Sequence, residues 1–383
     1  MPSSEATASS MTVVFAAVLV VHGAVHLLGV AKAFEVADLP QLTQPISRSS
    51  GVLWLVAAVL CFGTAASLFL WPRHWWMVGA GALLVSVIVI VSSWSDAKFG
   101  LVPNGVLLVG VLLGFFSQGP YSLRAEYDDD RERLLSTTAQ ERTVTGADLL
   151  HLPPIVQRYL RVTGAVGRPH VHNFRARVHG RIRGGPDARW MPLAAEQHNF
   201  GGEFARLFYM TASMLAVPVQ GYHRYVGSAA SMRVKVAGVV PVATADGPVM
   251  TQSETVTLFN DMCIMAPATL IDPAIAWEAV GAHRVKARFS NAGYTIQAEL
   301  WFSDSGELTN FVSDDRYQAS TDGTTMRRVR WSTPVRGYRS YGVARLAGFG
   351  EGRWHEPGGE YAYIELTIDD VVYNVPEIAT ARR

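Results

Sequence analysis

The sequence predicts two architectures in one chain. The first is a membrane four-helix bundle. The second is an α+β domain: a large curved antiparallel sheet, open and barrel-like, with one or two helices packed on it. Three observations predict this. Residues 11–117 are almost continuously apolar, while the rest has ordinary polar composition. After Gly167 the hydrophobic period changes from about 3.6 residues to about 2. Turn signals (GGPD, ADG, NAG, DSG, TDG and PGG) then punctuate the chain at short intervals.

Crossing the hydrocarbon core takes about twenty apolar residues as helix. Residues 11–34, 51–71, 75–94 and 101–117 meet or approach that length. Small residues such as Gly63, Ala65, Gly79 and Gly114 suit close helix contact in lipid, and Trp71, Trp75, Trp76 and Trp94 stand where aromatic belts belong. None of the last three runs carries the polar stripe of a water-soluble bundle. Residues 1–10 are expected to be disordered. No Lys or Arg precedes the first run, so it is read as a retained helix and not as a secretory signal. With four spans, Arg73, Arg124, Arg131 and Arg133 face Lys32, Arg48 and Lys98 across the membrane. The positive-inside rule then puts the C-terminal part in the cytoplasm by one charge.

Residues 118–144 are polar and charged and read as a juxtamembrane linker, helical in part. In residues 145–164 Leu149, Leu152, Ile155, Val156, Tyr159 and Leu160 recur at helical spacing, with a break expected at Pro153-Pro154. Residues 145–375 form the sheet domain, and 376–383 a disordered tail. In VHNFRARVHGRIR, Phe174, Ala176, Val178 and Ile182 point one way, while Arg175, Arg177, Arg181 and Arg183 point the other. One helix interrupts the strands from Pro248 to about Met265, with Val256, Phe259 and Met262 on a shared face.

The totals exclude several functions. A net charge of +1 and a pI near 7.9 give no basic surface for nucleic acid. The two cysteines, Cys61 and Cys263, stand in different halves, so no disulfide framework or zinc ribbon is expected. There is no GxSxG, HExxH, P-loop or strand-borne GxGxxG, and His198, His223, His355, Glu196, Glu254 and Asp261 fall into no recognised spacing. No catalytic residue, metal or cofactor is assigned.

Three groups remain as candidate sites. Ionisable residues inside spans are costly and usually face a bundle interior. By topology His22, His26, Lys32, Asp96 and Lys98 form a membrane polar cluster, with Asp96–Lys32 as its ion pair. The HxxxH spacing of His22 and His26 suits a metal, but two more ligands would have to come from Asp96 or Glu35. A haem would need histidines on different helices, and His74 lies at the other face. Interhelical hydrogen bonding is the plainer role. In the sheet domain Trp190, Met191, Phe204, Phe208, Met210, Met214, Leu215 and Trp301 are candidates to line a ligand pocket or to fill the core. Arg175, Arg177, Arg181 and Arg183 are candidates for anionic lipid, the alternative being pairing with acids.

HLPPIVQRYLRVTGAVGRP, RWMPLAAEQ, MRVKVAGVVPVATADGP and the C-terminal WSTPVRGYRSYGVARL and GRWHEPGGEYAYIELTIDDVVYN resemble a bacterial family of uncharacterised domains over about residues 145–375. That strand–helix pattern is similar to the open barrels of LolA/LolB-like lipoprotein carriers, which implies an acyl-chain pocket by fold analogy alone. HGAVHLLGVAKAF and WSDAKFG resemble the DoxX-like four-helix membrane proteins. The reading is a non-enzymatic, multi-pass protein of a bacterial cell membrane whose soluble β domain binds a lipid or other hydrophobic small molecule. Two alternatives stay open: a redox or proton-linked subunit using His22, His26 and Asp96, and a protein-interaction scaffold.

Overall fold

The computed structural model describes residues 4–135, 142–214 and 217–376. The predicted terminal disorder at 1–3 and 377–383, and the candidate Leu215, lie outside the described residues. The chain divides into two compact units, residues 1–125 with 237–239, and residues 126–236 with 240–383.

The first unit is helical: α1 (Ser4–Ala33), α2 (Arg48–Leu70), α3 (Trp75–Ser92), the short α4 (Trp94–Ala97) and α5 (Leu101–Gln118). α1 begins inside the stretch expected to be disordered. Ser47 caps α2, its hydroxyl accepting from the Ser50 amide at 3.1 Å, and Pro72 follows the helix end. Leu19, Cys61, Ala65, Ala82 and Leu107 form the bundle core. Gly29 lets α1 lie against Trp54, where an added Cβ would come within 2.3 Å of the indole. Val21, Val59, Leu84 and Val102 face outward, more than half exposed. Four helical stretches are long and apolar enough to cross a membrane: Ser10–Ala33, Arg48–Leu70, Trp75–Ser92 and Trp94–Leu135.

α6 (Leu123–Leu135) runs through the predicted linker, and its residues from Glu126 onward belong to the second unit. The Pro153-Pro154 break is present: a 3-10 turn, Ala147–Leu149, precedes α7 (Pro154–Val162). Leu150, outside both, is exposed.

Strands β1 (Asn173–Ile182), β2 (Met191–Phe200), β3 (Ala205–Met214), β4 (Val217–Val226), β5 (Ala229–Val236) and β6 (Val240–Ala245) form an antiparallel meander. After α8 (Gly247–Met265) a second set begins with β7 (Ile275–Gly281), β8 (Arg284–Asn291), β9 (Tyr294–Phe302) and β10 (Leu308–Ser313). The short pairs β11 (Tyr317–Ala319)/β12 (Met326–Arg328) and β14 (Arg339–Tyr341)/β15 (Ala344–Leu346) flank β13 (Arg330–Arg336). β16 (Phe349–Glu356) and the long β17 (Gly359–Tyr373) complete one 13-stranded sheet, order β6-β5-β4-β3-β2-β1-β17-β16-β13-β10-β9-β8-β7. It is not closed into a barrel, since β6 and β7 remain its two edges.

α8 packs on β5 and on β9, near opposite ends of that order, so the sheet curls around one helix. Accordingly α8 is buried on every side and not on the single face the periodicity predicted. Val256, Phe259 and Met262 are buried, but so are Glu254, Asn260 and Asp261. Phe259 stacks on Phe289 of β8 and meets Phe311 of β10 edge-on.

β1 and β17 approach closely at Gly180, where an added Cβ would fall 1.8 Å from the Glu365 carbonyl oxygen of β17. Gly180→Ala should destabilise the second unit by about 1–3 kcal/mol, as overpacking does. Scanning calorimetry should show its transition lowered by about 2–4 °C per kcal/mol. An unchanged transition would contradict the close β1–β17 register.

Candidate functional site

Between α8 and the concave face of β1, β3, β16 and β17 lies a cavity of about 160 Å³. Its apolar wall includes Val178, Ile182, Phe208, Met210, Leu366 and Ile368. Strand alternation explains the wall, because β1 and β17 send every second side chain inward. Gly350 and Gly352 of β16 also line it and present no side chain.

The polar end of the cavity is built from buried charges. Arg206 of β3 donates from Nε to Asp261 Oδ2 at 2.6 Å and from Nη1 to Glu254 Oε2 at 3.0 Å. Glu254 and Asp261 are seven residues apart on α8, two turns along one face. Gln197 donates to Asp261 Oδ2 at 2.6 Å, and Asn199 donates to the same oxygen at 3.4 Å. Arg316 donates to the Ser253 carbonyl at 2.9 Å, to Glu254 at 3.4 Å and to the Thr257 hydroxyl. Its Nε–H is buried without an acceptor, and its guanidinium lies 4.7 Å from the Trp331 ring.

The two acids are pushed apart. Burial alone would raise Glu254, but hydrogen bonding from His223 and the charges of Arg206 and Arg316 override it and hold it well below the usual carboxylate range. Burial raises Asp261, and one arginine with two neutral amides offsets that only in part. Both acids gain from Arg206, whose guanidinium stays charged because the two carboxylates outweigh the cost of its burial.

Of the predicted pocket residues, Phe208 and Met210 line this cavity, while Trp190, Met191, Phe204 and Trp301 do not; the Met214 side chain, like Leu215, lies outside the described residues. Trp190 precedes β2 and lies beneath the guanidiniums of Arg181 and Arg183, at 4.5 and 4.6 Å. Trp301 is on the outward face of β9, 39% exposed, with Arg284 over it. Phe204 packs edge-on against Phe289, and Met191 packs at the margin of the core. The arginine stripe is largely paired with β17 across the β1–β17 register. Arg175 and Arg177 bond Asp370 at 2.5 and 3.3 Å, and Arg181 bonds Glu365 at 2.7 and 3.0 Å. Arg183 donates to the Ala362 carbonyl at 2.8 Å. Composition alone did not single out Arg206 and Arg316. The usable signal was that α8 carries two acids on one face and no Lys or Arg, so their partners had to come from another element.

In the helical unit His22 and His26 do face the bundle interior, 3% and 1% exposed. His22 Nε2 is 2.9 Å from Asn104 Oδ1 and 3.1 Å from Ser86 Oγ, and His26 Nε2 is 2.9 Å from Ser86 Oγ. The expected partners are elsewhere. Lys32 donates to the Leu42 carbonyl at 2.7 Å, while Asp96 accepts from the Thr43 hydroxyl and Gln44 amide at 2.8 Å each. Residues 36–47 thus satisfy both groups in place of a Lys32–Asp96 ion pair. Lys98 lies 5.6 Å from the Phe99 ring.

Residues 142–366 match the profile described as "Family of unknown function (DUF6544)", and the chain belongs to that family. No curated protein matches the chain. Three solved structures are similar at low identity. A LolA superfamily protein from Nitrosomonas europaea is 11% identical, covering 58% of this chain and 94% of its own, at a TM-score of 0.33. A putative outer membrane lipoprotein-sorting protein domain from Vibrio parahaemolyticus is 9% identical, covering 53% and 86%, at 0.31. A DUF1329 family protein from Desulfovibrio piger is 11% identical, covering 61% and 95%, at 0.34.

Removing one partner of a buried charge network strands the others. Arg206→Met should cost about 3–5 kcal/mol at neutral pH. Asp261, left with two neutral amides, then has a folded pKa still further above its unfolded one, a penalty present above the unfolded pKa and relieved as pH falls. In denaturant titrations the deficit should therefore shrink from pH 7 towards pH 5, by up to about 1.4 kcal/mol per pH unit for each proton taken up. A deficit independent of pH would mean that the loss is one of packing.

Proposed function

We propose that this family member is a membrane-anchored binding protein, in which the α1–α5 helices hold the chain in a lipid bilayer and the sheet unit binds a small amphiphile. The observation that carries this reading is the cavity itself: an apolar wall ending on the Arg206–Glu254–Asp261–Arg316 network. An apolar pocket with a few convergent polar groups is the usual form of a small-molecule site. The volume narrows the ligand. About 160 Å³ is close to an engineered cavity of ~150 Å³ that takes one benzene, so the fit is to a short chain or one ring. The unpartnered Arg316 Nε–H asks for an acceptor, which a carboxylate or carbonyl head supplies.

Full-length protein in detergent should bind a polarity-sensitive fluorescent probe that straight-chain alkanoic acids displace. Affinity should rise about fourfold per added methylene, from ~0.8 kcal/mol per buried CH2, and level off once the cavity is filled. Leu366→Trp fills the cavity and should weaken binding at least about tenfold, the ring replacing roughly two or more methylenes of contact. Absence of displacement at any chain length, or a variant that binds as the parent does, would refute the reading.

A further inference from the structure

The helical unit holds a second candidate site, which the sheet unit's ligand does not use. His22 and His26 of α1 and Cys61 of α2 are all buried, and each offers one ligand atom within 4.8 Å of the others. A point equidistant from three atoms so spaced is about 2.8 Å from each. Metal–nitrogen and metal–sulfur bonds of about 2.0 and 2.3 Å therefore need inward shifts of roughly 0.5–0.8 Å per ligand. Side-chain rotation supplies movements of that size.

Ser86 and Asn104 hold the two imidazoles by hydrogen bonds. Asn104 Oδ1 can only accept, and it receives the Ser86 hydroxyl at 2.9 Å and His22 Nε2–H at 2.9 Å. With its single proton committed, Ser86 Oγ accepts from His26 Nε2–H at 2.9 Å. With the Asn104 amide oxygen turned towards them, both rings carry their proton on Nε2 and leave Nδ1 as the lone-pair nitrogen. Such outer bonds are the usual way a protein orients metal-ligating histidines. His26 Nδ1 is buried with no hydrogen-bond partner, a cost that an incoming ligand or ion removes. A cavity of about 200 Å³ lined by His22, His26, Trp54, Ser93 and Asp96 lies beside the two imidazoles.

The geometry points to a copper(I) site formed by His22, His26 and Cys61. A thiolate with two imidazoles is the soft donor set that copper(I) and zinc favour. Charge and coordination number decide between them. Copper(I) with one thiolate is neutral, whereas zinc leaves a net positive charge in a buried place that has no second anion. Structural zinc also takes four ligands, and only three His, Cys or acidic residues converge here among the described residues. Binding exchanges the Cys61 thiol proton for the ion, one proton out for each copper(I) in, with no change in oxidation state.

The test is anaerobic titration of purified full-length protein in detergent with copper(I) presented as its coloured bicinchoninate complex. One equivalent per chain should be withdrawn from the chelator, and X-ray absorption of the loaded parent protein should show one sulfur and two nitrogens. Cys61→Ala and His26→Leu should each weaken retention at least about 100-fold, the upper range for disturbing a ligand's surroundings. Cys263→Ala, altering the only other thiol, should leave it unchanged. A coordination shell without sulfur, retention unaffected by Cys61→Ala, or preferential zinc binding in direct competition would each overturn the assignment. The absorption measurement needs no variant, so a misfolded substitution cannot obscure the outcome.

Discussion

The second unit depends on one guanidinium. Arg206 reaches from β3 into the curl of the sheet and holds Glu254 and Asp261 on the same face of α8. A helix wrapped on all sides cannot keep its charged residues in solvent, and an isolated carboxylate in that interior costs several kcal/mol. The arginine answers both acids at once with a planar fork, a geometry that lysine could not reproduce. Position and orientation of α8 follow from it. Asn260 next to Asp261 then reaches the Thr333 hydroxyl of β13 at 2.6 Å, so the same helix is tied to a strand on the other side.

The network also explains why there is space. Phe259, Phe289 and Phe311 fill the side of α8 that lies towards β8 and β10. On the opposite side the helix presents carboxylates and amides to an apolar strand face, and two such surfaces cannot interdigitate without stranding polar atoms. Gly352 lets Ile364 and Tyr363 of β17 pack against β16, where an added Cβ would come within 2.7 Å of Ile364. The cavity is thus the place where a charged helix face meets an apolar sheet face.

Much of the architecture was legible in the sequence because periodicity is a strong signal. The four apolar runs, the change to strand alternation after Gly167 and the break at Pro153-Pro154 each follow from local rules. The site was less legible, for two physical reasons. Curling of the sheet brings β3, α8 and residue 316 together from distant positions, and no local spacing encodes that. Large aromatic residues were also a poor guide to the pocket. Trp190 and Trp301 are covered by arginines on the outward face, where a broad ring serves as a platform for a cation as well as it would serve a core. The cost of burying histidine in a span is the reason to expect His22 and His26 at the bundle interior, and both are buried. Their partners were not legible, because Ser86 and Asn104 look unremarkable in the sequence, and residues 36–47 satisfy Lys32 and Asp96 with the Leu42 carbonyl, the Gln44 amide and the Thr43 hydroxyl.

Size and polarity together restrict what the sheet unit can hold. A diacyl lipid would need several times the volume between α8 and the sheet, which means driving the helix away from β17. That displacement would break the Arg206 contacts to both acids and open the Asn260–Thr333 bond, exposing charges that the interior had satisfied. On the proposed reading, a short chain with an acceptor head would enter without moving the helix. The network that positions α8 therefore also limits the ligand, since any occupant large enough to shift the helix must first unmake it.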